Sequence, residues 1–178
     1  MAKLISKTYG DALFDVAVEK NAVDSLDREA AAVAELIKQN PEFLNLLKHP
    51  NIGKEEKLSV VEKVFSGKVS AEMYGFLAVL VDKDRQGHIL EIFDYFTARV
   101  KEYRRIGVVY ITSALPLEDG QKKKIEEKVL ETSGYAALEP HYAVDKALIG
   151  GIVIRIGDRV VDSSIKSKLD RLTRELRG

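Results

Sequence analysis

Cysteine occurs nowhere in the 178 residues, and tryptophan is equally absent. The first absence excludes disulfides, thiolate metal sites and a cysteine nucleophile. Net charge is missing too: 28 lysines and arginines offset 28 aspartates and glutamates. The balance is also local, with 16 basic against 17 acidic side chains over 1–106 and 12 against 11 over 107–178. Such a chain has no long-range pull on nucleic acid or anionic lipid. No apolar run approaches the ~20 residues of a membrane helix. The N-terminus, Met1-Ala2-Lys3-Leu4-Ile5-Ser6-Lys7, lacks the apolar core of a signal peptide, and the early Asp11 and Asp15 do not suit a transit peptide. If this chain works at a membrane, another protein must hold it there.

What is present is enough apolar content, 46%, to build a packed core and argue against disorder. Over the first hundred residues the apolar side chains recur at helical spacing. Ile5, Tyr9, Ala12, Leu13, Val16 and Ala17 mark a helix from about Leu4 to Glu19. Leu26, Ala30, Val33, Leu36 and Ile37 mark a second, with Asp24 or Ser25 as its N-cap. Asn40-Pro41 breaks the chain, Phe43, Leu44 and Leu47 carry a short third helix, and His49-Pro50 stops it. A fourth helix follows Gly53 and closes at Gly67, Ser70 caps a fifth, and a sixth runs from about His88 to Arg105. The fifth, from Met73 through Phe76 and Leu77 to Val81, is apolar on nearly every side, more than a bundle helix needs.

At Arg104-Arg105-Ile106-Gly107 the pattern changes. Residues 108–112 are β-branched and aromatic and read as a strand. A polar helix follows, about Glu118 to Thr132, with Ile125, Val129 and Leu130 as its few anchors. Residues 137–144 form a second strand if Pro140 sits at an edge or a bulge. Residues 152–156 are a third strand, Gly157-Asp158 suits a type II′ turn, and Arg159-Val160-Val161 returns. Ser163 or Ser164 caps a last helix with the stripe Ile165, Leu169, Leu172 and Leu176. The expected fold is mainly α: an N-terminal six-helix bundle over 1–105, then a small α/β domain over 106–178.

Nothing in the sequence assembles a catalytic set. His49, His88 and His141 lie far apart in different elements, so no metal site is expected. Ser163 and Ser164 read as helix caps, with no nucleophile elbow around them. Gly150-Gly151 precedes a strand and lacks the lysine and hydroxyl of a phosphate loop, so close backbone approach is the better account. No cofactor is expected. Lys122-Lys123-Lys124 is flanked by acids and reads as a solvated helix face. The last helix is more basic, with Lys166, Lys168, Arg171, Arg174 and Arg177 against Asp170 and Glu175.

The segment Val144-Asp145-Lys146-Ala147-Leu148-Ile149-Gly150-Gly151-Ile152-Val153-Ile154-Arg155-Ile156-Gly157-Asp158-Arg159-Val160-Val161-Asp162-Ser163-Ser164-Ile165 closely resembles the C-terminal signature of the ATP synthase delta subunits, called the oligomycin sensitivity conferral protein in mitochondria. Tyr9-Gly10-Asp11-Ala12-Leu13-Phe14-Asp15-Val16-Ala17 resembles the family's opening helix, which usually has alanine after the tyrosine. Tyr103-Arg104-Arg105-Ile106-Gly107-Val108, leading to Thr112-Ser113-Ala114-Leu115-Pro116-Leu117, is a third likeness in the family's order.

The resemblance implies a non-catalytic stator (peripheral stalk) part of an F-type ATP synthase, one copy per complex. It implies a place on the cytoplasmic side of the cell membrane, peripheral and held through partner subunits, with no direct insertion. The helical part would hold the N-terminal segment of an alpha subunit, and the second part the C-terminal ends of the membrane-anchored b subunits. The excess apolar surface of the fifth helix suggests a groove between the first and fifth helices, with Tyr9, Leu13, Phe76, Val79 and Leu80 touching the alpha subunit. For the b subunits the hairpin and last helix offer Arg155, Arg159, Lys166 and Arg171. A free-standing helical adaptor is the alternative, and it leaves the C-terminal signature unexplained.

Overall fold

The computed structural model describes residues 2–177. The chain is mainly helical with one small four-stranded sheet, and it divides into two compact units, one through Val100 and the other from Lys101.

The helical periodicity becomes α1 (Ala2–Glu19), α2 (Val23–Gln39), α3 (Pro41–Lys48), α4 (Lys54–Phe65), α5 (Ala71–Asp82) and α6 (Ile89–Tyr103), with a 3-10 turn at Gln86–His88. One core joins them. Leu13, Leu26, Ile37, Leu47, Leu77, Leu80, Ile92 and Phe96 are each no more than 2% exposed. Burying each such side chain stabilises the fold by roughly 1.5–3 kcal/mol. Polar cross-links sit at the edge of this core. The Tyr95 hydroxyl of α6 donates to Asp11 of α1 (3.0 Å), Thr97 donates to Asp27 of α2 (3.1 Å), and the Arg99 guanidinium lies 5.3 Å from the centre of the Phe14 ring.

Two local expectations need a different account. α2 starts at Val23, before Asp24 or Ser25 can cap it, and Ala22 stands at the N-cap without a side-chain bond. The reason is a backbone turn: Asn21 takes a left-handed φ of 52°, and the Ala22 N–H bonds the Ala17 carbonyl at 2.8 Å, so α1 runs directly into α2. Gly10 reads as a weak point of the first helix, yet it is buried, and a Cβ there would overlap the Tyr95 ring. The missing side chain lets α6 lie close. Elsewhere the local chemistry holds: the Ser70 hydroxyl accepts from the Met73 N–H at 3.2 Å and donates to Glu29 at 2.7 Å.

The second unit holds β1 (Ile106–Ser113), α7 (Asp119–Ser133), β2 (Ala137–Val144), β3 (Ile152–Ile156), β4 (Arg159–Asp162) and α8 (Ile165–Arg177), with strand order β2-β1-β3-β4. β1 and β2 are parallel, which requires a crossover, and α7 supplies it. β3 runs antiparallel to both β1 and β4. Pro140 sits on β2, an edge strand, where a missing N–H costs no ladder bond on the free side. Gly157 takes φ 55° in the two-residue turn that pairs Ile156 with Arg159. Val109 and Ile111 of β1 share a sheet face with Ile156 and Ile154 of β3 by register, and Val129 and Ile125 of α7 pack on that face.

Candidate functional site

In the first unit the expected contact residues separate by depth. Val79 is 47% exposed on α5, whereas Tyr9 and Phe76 are half-buried. Leu13 and Leu80 lie wholly inside the core, at 1% and 0% exposure. The expectation that Leu13 and Leu80 touch a partner is therefore corrected: helical spacing put them on the apolar side, and that side closes on the protein's own interior. The Phe76 ring stacks at a tilt on Phe93, centroids 6.3 Å apart, which ties the surface residues to the core. At the end of α5 the Lys83 ammonium bonds Asp82 at 3.0 Å, and that bond raises its pKa, with a smaller share from the nearby Tyr9 phenol. Gly75, also exposed on α5, has open space where a side chain would stand.

In the second unit the four expected basic residues do not form one patch. Arg155 pairs in register with Val160, and Arg159 with Ile156, so the two arginines lie on opposite faces of the sheet. Lys166 and Arg171 are exposed on α8, where Arg171 Nε lies 3.9 Å from Glu175. The Arg177 side chain, like Met1 and Gly178, lies outside the described residues.

The sequence pattern did not disclose a groove. α7 covers the β2–β1 side of its sheet face and leaves the β3–β4 side open, which makes an apolar cleft of 490 Å³ floored by Ile152, Ile154, Ile156 and Val161. Lys124, Lys128 and Arg159 also line it. A signal existed: isoleucine at every second position of 152–156 needs a cover, and α7 has too few apolar anchors to cover four strands. α8 also presents an exposed apolar stripe, with Ile165, Leu169, Leu172 and Leu176 between 43% and 88% exposed.

The start of α8 is fixed by a polar knot. The Asp162 carboxylate accepts from the Ser167 hydroxyl (2.5 Å) and the Ser164 N–H (2.8 Å), and the Ser164 hydroxyl accepts from the Ser167 N–H (3.2 Å). These bonds, first from Ser167 and then from Ser164, hold the Asp162 carboxyl below its ordinary pKa. A carboxyl depressed in the folded state contributes stability that is present above the usual aspartate value near ~4 and is lost as pH falls through the lower folded value. The Ser164 and Ser167 amide resonances should therefore keep their neutral-pH positions down to about pH 4 and move below it. In Asp162→Asn that acid step should vanish; its persistence would remove Asp162 from the cap.

On β2, Tyr142 donates to Glu126 of α7 at 2.5 Å, and burial, with the Glu126 carboxylate, pushes the phenol pKa up. His88 sits 3.2 Å from Glu91, and His141 sits 3.2 Å from Glu139, whose carboxylate also takes the Lys101 ammonium at 2.8 Å. Among the described residues no group of three or more histidine, cysteine or carboxylate side chains gathers as a metal site would require.

Known proteins resemble this chain over nearly its whole length. The family model described as ATP synthase delta (OSCP) subunit matches residues 5–176. The ATP synthase subunit delta of Lachnoclostridium phytofermentans is 48% identical over 176 residues, covering 99% of this chain and 97% of that one. The protein of the same name from Acetivibrio thermocellus is 38% identical, covering 94% of each. A chain of the Toxoplasma gondii mitochondrial ATP synthase hexamer superposes with a TM-score of 0.71 at 21% identity, over 97% of both chains, and shares the fold.

Proposed function

The chain belongs to the ATP synthase delta (OSCP) subunit family, and from that premise we propose how its two units serve a non-catalytic stator of an F-type ATP synthase. Each charge crossing 100 mV yields ~2.3 kcal/mol. Rotation gathers several such steps into one ATP, provided the catalytic head does not turn with the rotor. A part that holds the head still needs two grips and no chemistry. The observation that carries this reading is the family match over residues 5–176 of a chain that divides into two compact units.

The six-helix first unit, spanning 1–105 in function, takes the N-terminal segment of one alpha subunit as an amphipathic helix along α1 and α5. Val79 makes the central contact, Tyr9 and Phe76 flank it, and Leu13 and Leu80 support them from beneath. Gly75 leaves room for a close helix–helix approach.

The second unit, 106–178, takes the C-terminal ends of the b subunits. Its apolar cleft and the stripe of α8 bury the partner's apolar face, while Arg159, Lys166 and Arg171 meet acidic flanks. Arg155 faces away from the cleft and is left out of this contact. No described helix is long and apolar enough to cross a membrane, so attachment to the cytoplasmic face runs through these partners. One copy serves each complex.

Arg159→Glu should weaken binding to a soluble fragment holding the C-terminal end of b by about fivefold at low salt, with a shallower salt dependence than the parent. A flat salt response in the parent would mean that apolar contact dominates. The whole reading is tested by stripped membrane vesicles reconstituted with and without this chain. Ion-driven ATP synthesis should collapse without it, and full coupling in its absence overturns the proposal.

A further inference from the structure

Apolar side chains occupy only four positions of α8, at Ile165, Leu169, Leu172 and Leu176, and every other residue from Lys166 to Arg177 is polar. The spacing is four, three and four. A helix that lies on a globular core carries a wider apolar face. A stripe this narrow is the seam of a helix that packs along one other helix. All four side chains stay exposed in the folded chain. The knot of Asp162, Ser164 and Ser167 fixes the start of α8, so the seam is held ready on a helix too short to persist alone.

The seam is its own complement. With Leu169 and Leu176 at heptad position a, Ile165 and Leu172 fall at d. Antiparallel helices pack a against d. Reversed about the midpoint between Asp170 and Arg171, α8 sets Ile165 against the partner's Leu176 and Leu169 against the partner's Leu172. Two-fold symmetry repeats both layers. The flanks agree with this register. Lys168 and Glu175, both exposed and both at g, meet across the seam twice with opposite charge. Lys166 meets the partner's Thr173 at e, with no like-charge clash. Parallel helices lack this match, because Lys168 then faces the partner's Thr173 and Glu175 finds no lysine. Charge also argues against the other apolar seat. Lys124, Lys128 and Arg159 line the cleft beside β3, and α8 is itself basic, so α8 of a second copy is repelled there.

We propose that two copies of this chain pair through α8 as antiparallel helices before assembly. The b subunits are proposed to take the same stripe, so the pair must part as the stator forms. That exclusion rests on the stator reading, and the pairing itself does not. A contact between two short helices is small, so the pair is weak, with a dissociation constant on the order of 100 µM.

Sedimentation equilibrium of the full chain from about 5 to about 500 µM should show the mass rising from one chain toward two and no further. Lys168→Glu and Glu175→Lys each turn both cross-seam pairs into like charges, and each should weaken pairing by about fivefold. The two variants mixed in equal amounts should pair with each other about as tightly as the parent does, and the double variant should regain the parent's affinity. A one-chain mass throughout, masses beyond two chains, single variants that pair like the parent, or a mixture no tighter than its components would overturn the proposal. Lys168 and Glu175 lie outside the residues assigned to the b contact, so the two readings fail separately. A parent that binds a soluble b fragment but never pairs sinks this proposal alone, and one that pairs but ignores the fragment sinks only the b contact.

Discussion

Replacing Val79 by aspartate should leave the chain folded and lower its affinity for the proposed partner, the N-terminal segment of the alpha subunit, by roughly thirtyfold or more, the effect of burying an unpaired carboxylate at about 2 kcal/mol. The two halves of this result have separate causes. Val79 is 47% exposed, so the free protein loses little burial when it changes. The introduced charge sits in the last turn of α5 near Asp82, where the helix dipole disfavours it by a few tenths of a kcal/mol to about 1. Unfolding should stay cooperative, with its midpoint displaced by only a few degrees. Binding is another matter, because the partner's apolar face would have to cover the carboxylate. Calorimetric titration with a synthetic peptide of that segment reads the affinity, and thermal unfolding reads the fold. Unchanged affinity would take Val79, and with it the α1–α5 surface, out of the contact. The same substitution at Leu80 is uninformative, since a charge at 0% exposure unfolds the unit whatever its partner does.

Gly151→Ala should destabilise the second unit by about 3 kcal/mol. Gly151 has φ +78°, and a side chain in the left-handed region costs about 1–2 kcal/mol by itself. The added Cβ would also overlap the Ser163 carbonyl oxygen, a backbone atom that cannot swing aside. That carbonyl is held from both sides, because Ser163 N–H bonds the Ile152 carbonyl and Ile165 N–H bonds the Gly150 carbonyl, each at 2.9 Å. Relief of the overlap therefore separates the entry of β3 from the start of α8. The melting midpoint of this unit should fall by on the order of 10–20 °C. Gly120→Ala is the control: that glycine lies in α7 with open space around it, and alanine there should gain about 1 kcal/mol of helix propensity. Equal midpoints for Gly151→Ala and the parent would contradict the crowding.

These two glycines show what can be read from a sequence and what cannot. The helices of the first unit were legible because apolar side chains recur every three or four residues and Asn40-Pro41, Gly67 and Ser70 punctuate them. The hairpin was legible because Gly157-Asp158 admits few turns. Gly150-Gly151 could be recognised as a close approach, but not that the approaching atoms belong to residues 163–165. Depth was the larger loss. Periodicity shows which side of a helix is apolar, but not how much of that side the fold itself will cover. Leu13, Leu80 and Val79 therefore looked alike in the sequence and differ widely in exposure. The cleft beside β3 and β4 was hidden for a related reason: strand order β2-β1-β3-β4 decides which isoleucines α7 reaches, and order is a property of pairing, not of local pattern.

Leu169, Leu172 and Leu176 project from α8 into water. A copy that has not met its companions is therefore prone to self-association. Two such rows can shelter one another, and an unsymmetrical meeting does not stop at pairs, so clumps can grow. If the b subunits cover this row as proposed, molecules made in surplus suffer most. Matched synthesis of the neighbouring polypeptides would then be a solubility requirement for this one, written into its final helical turns.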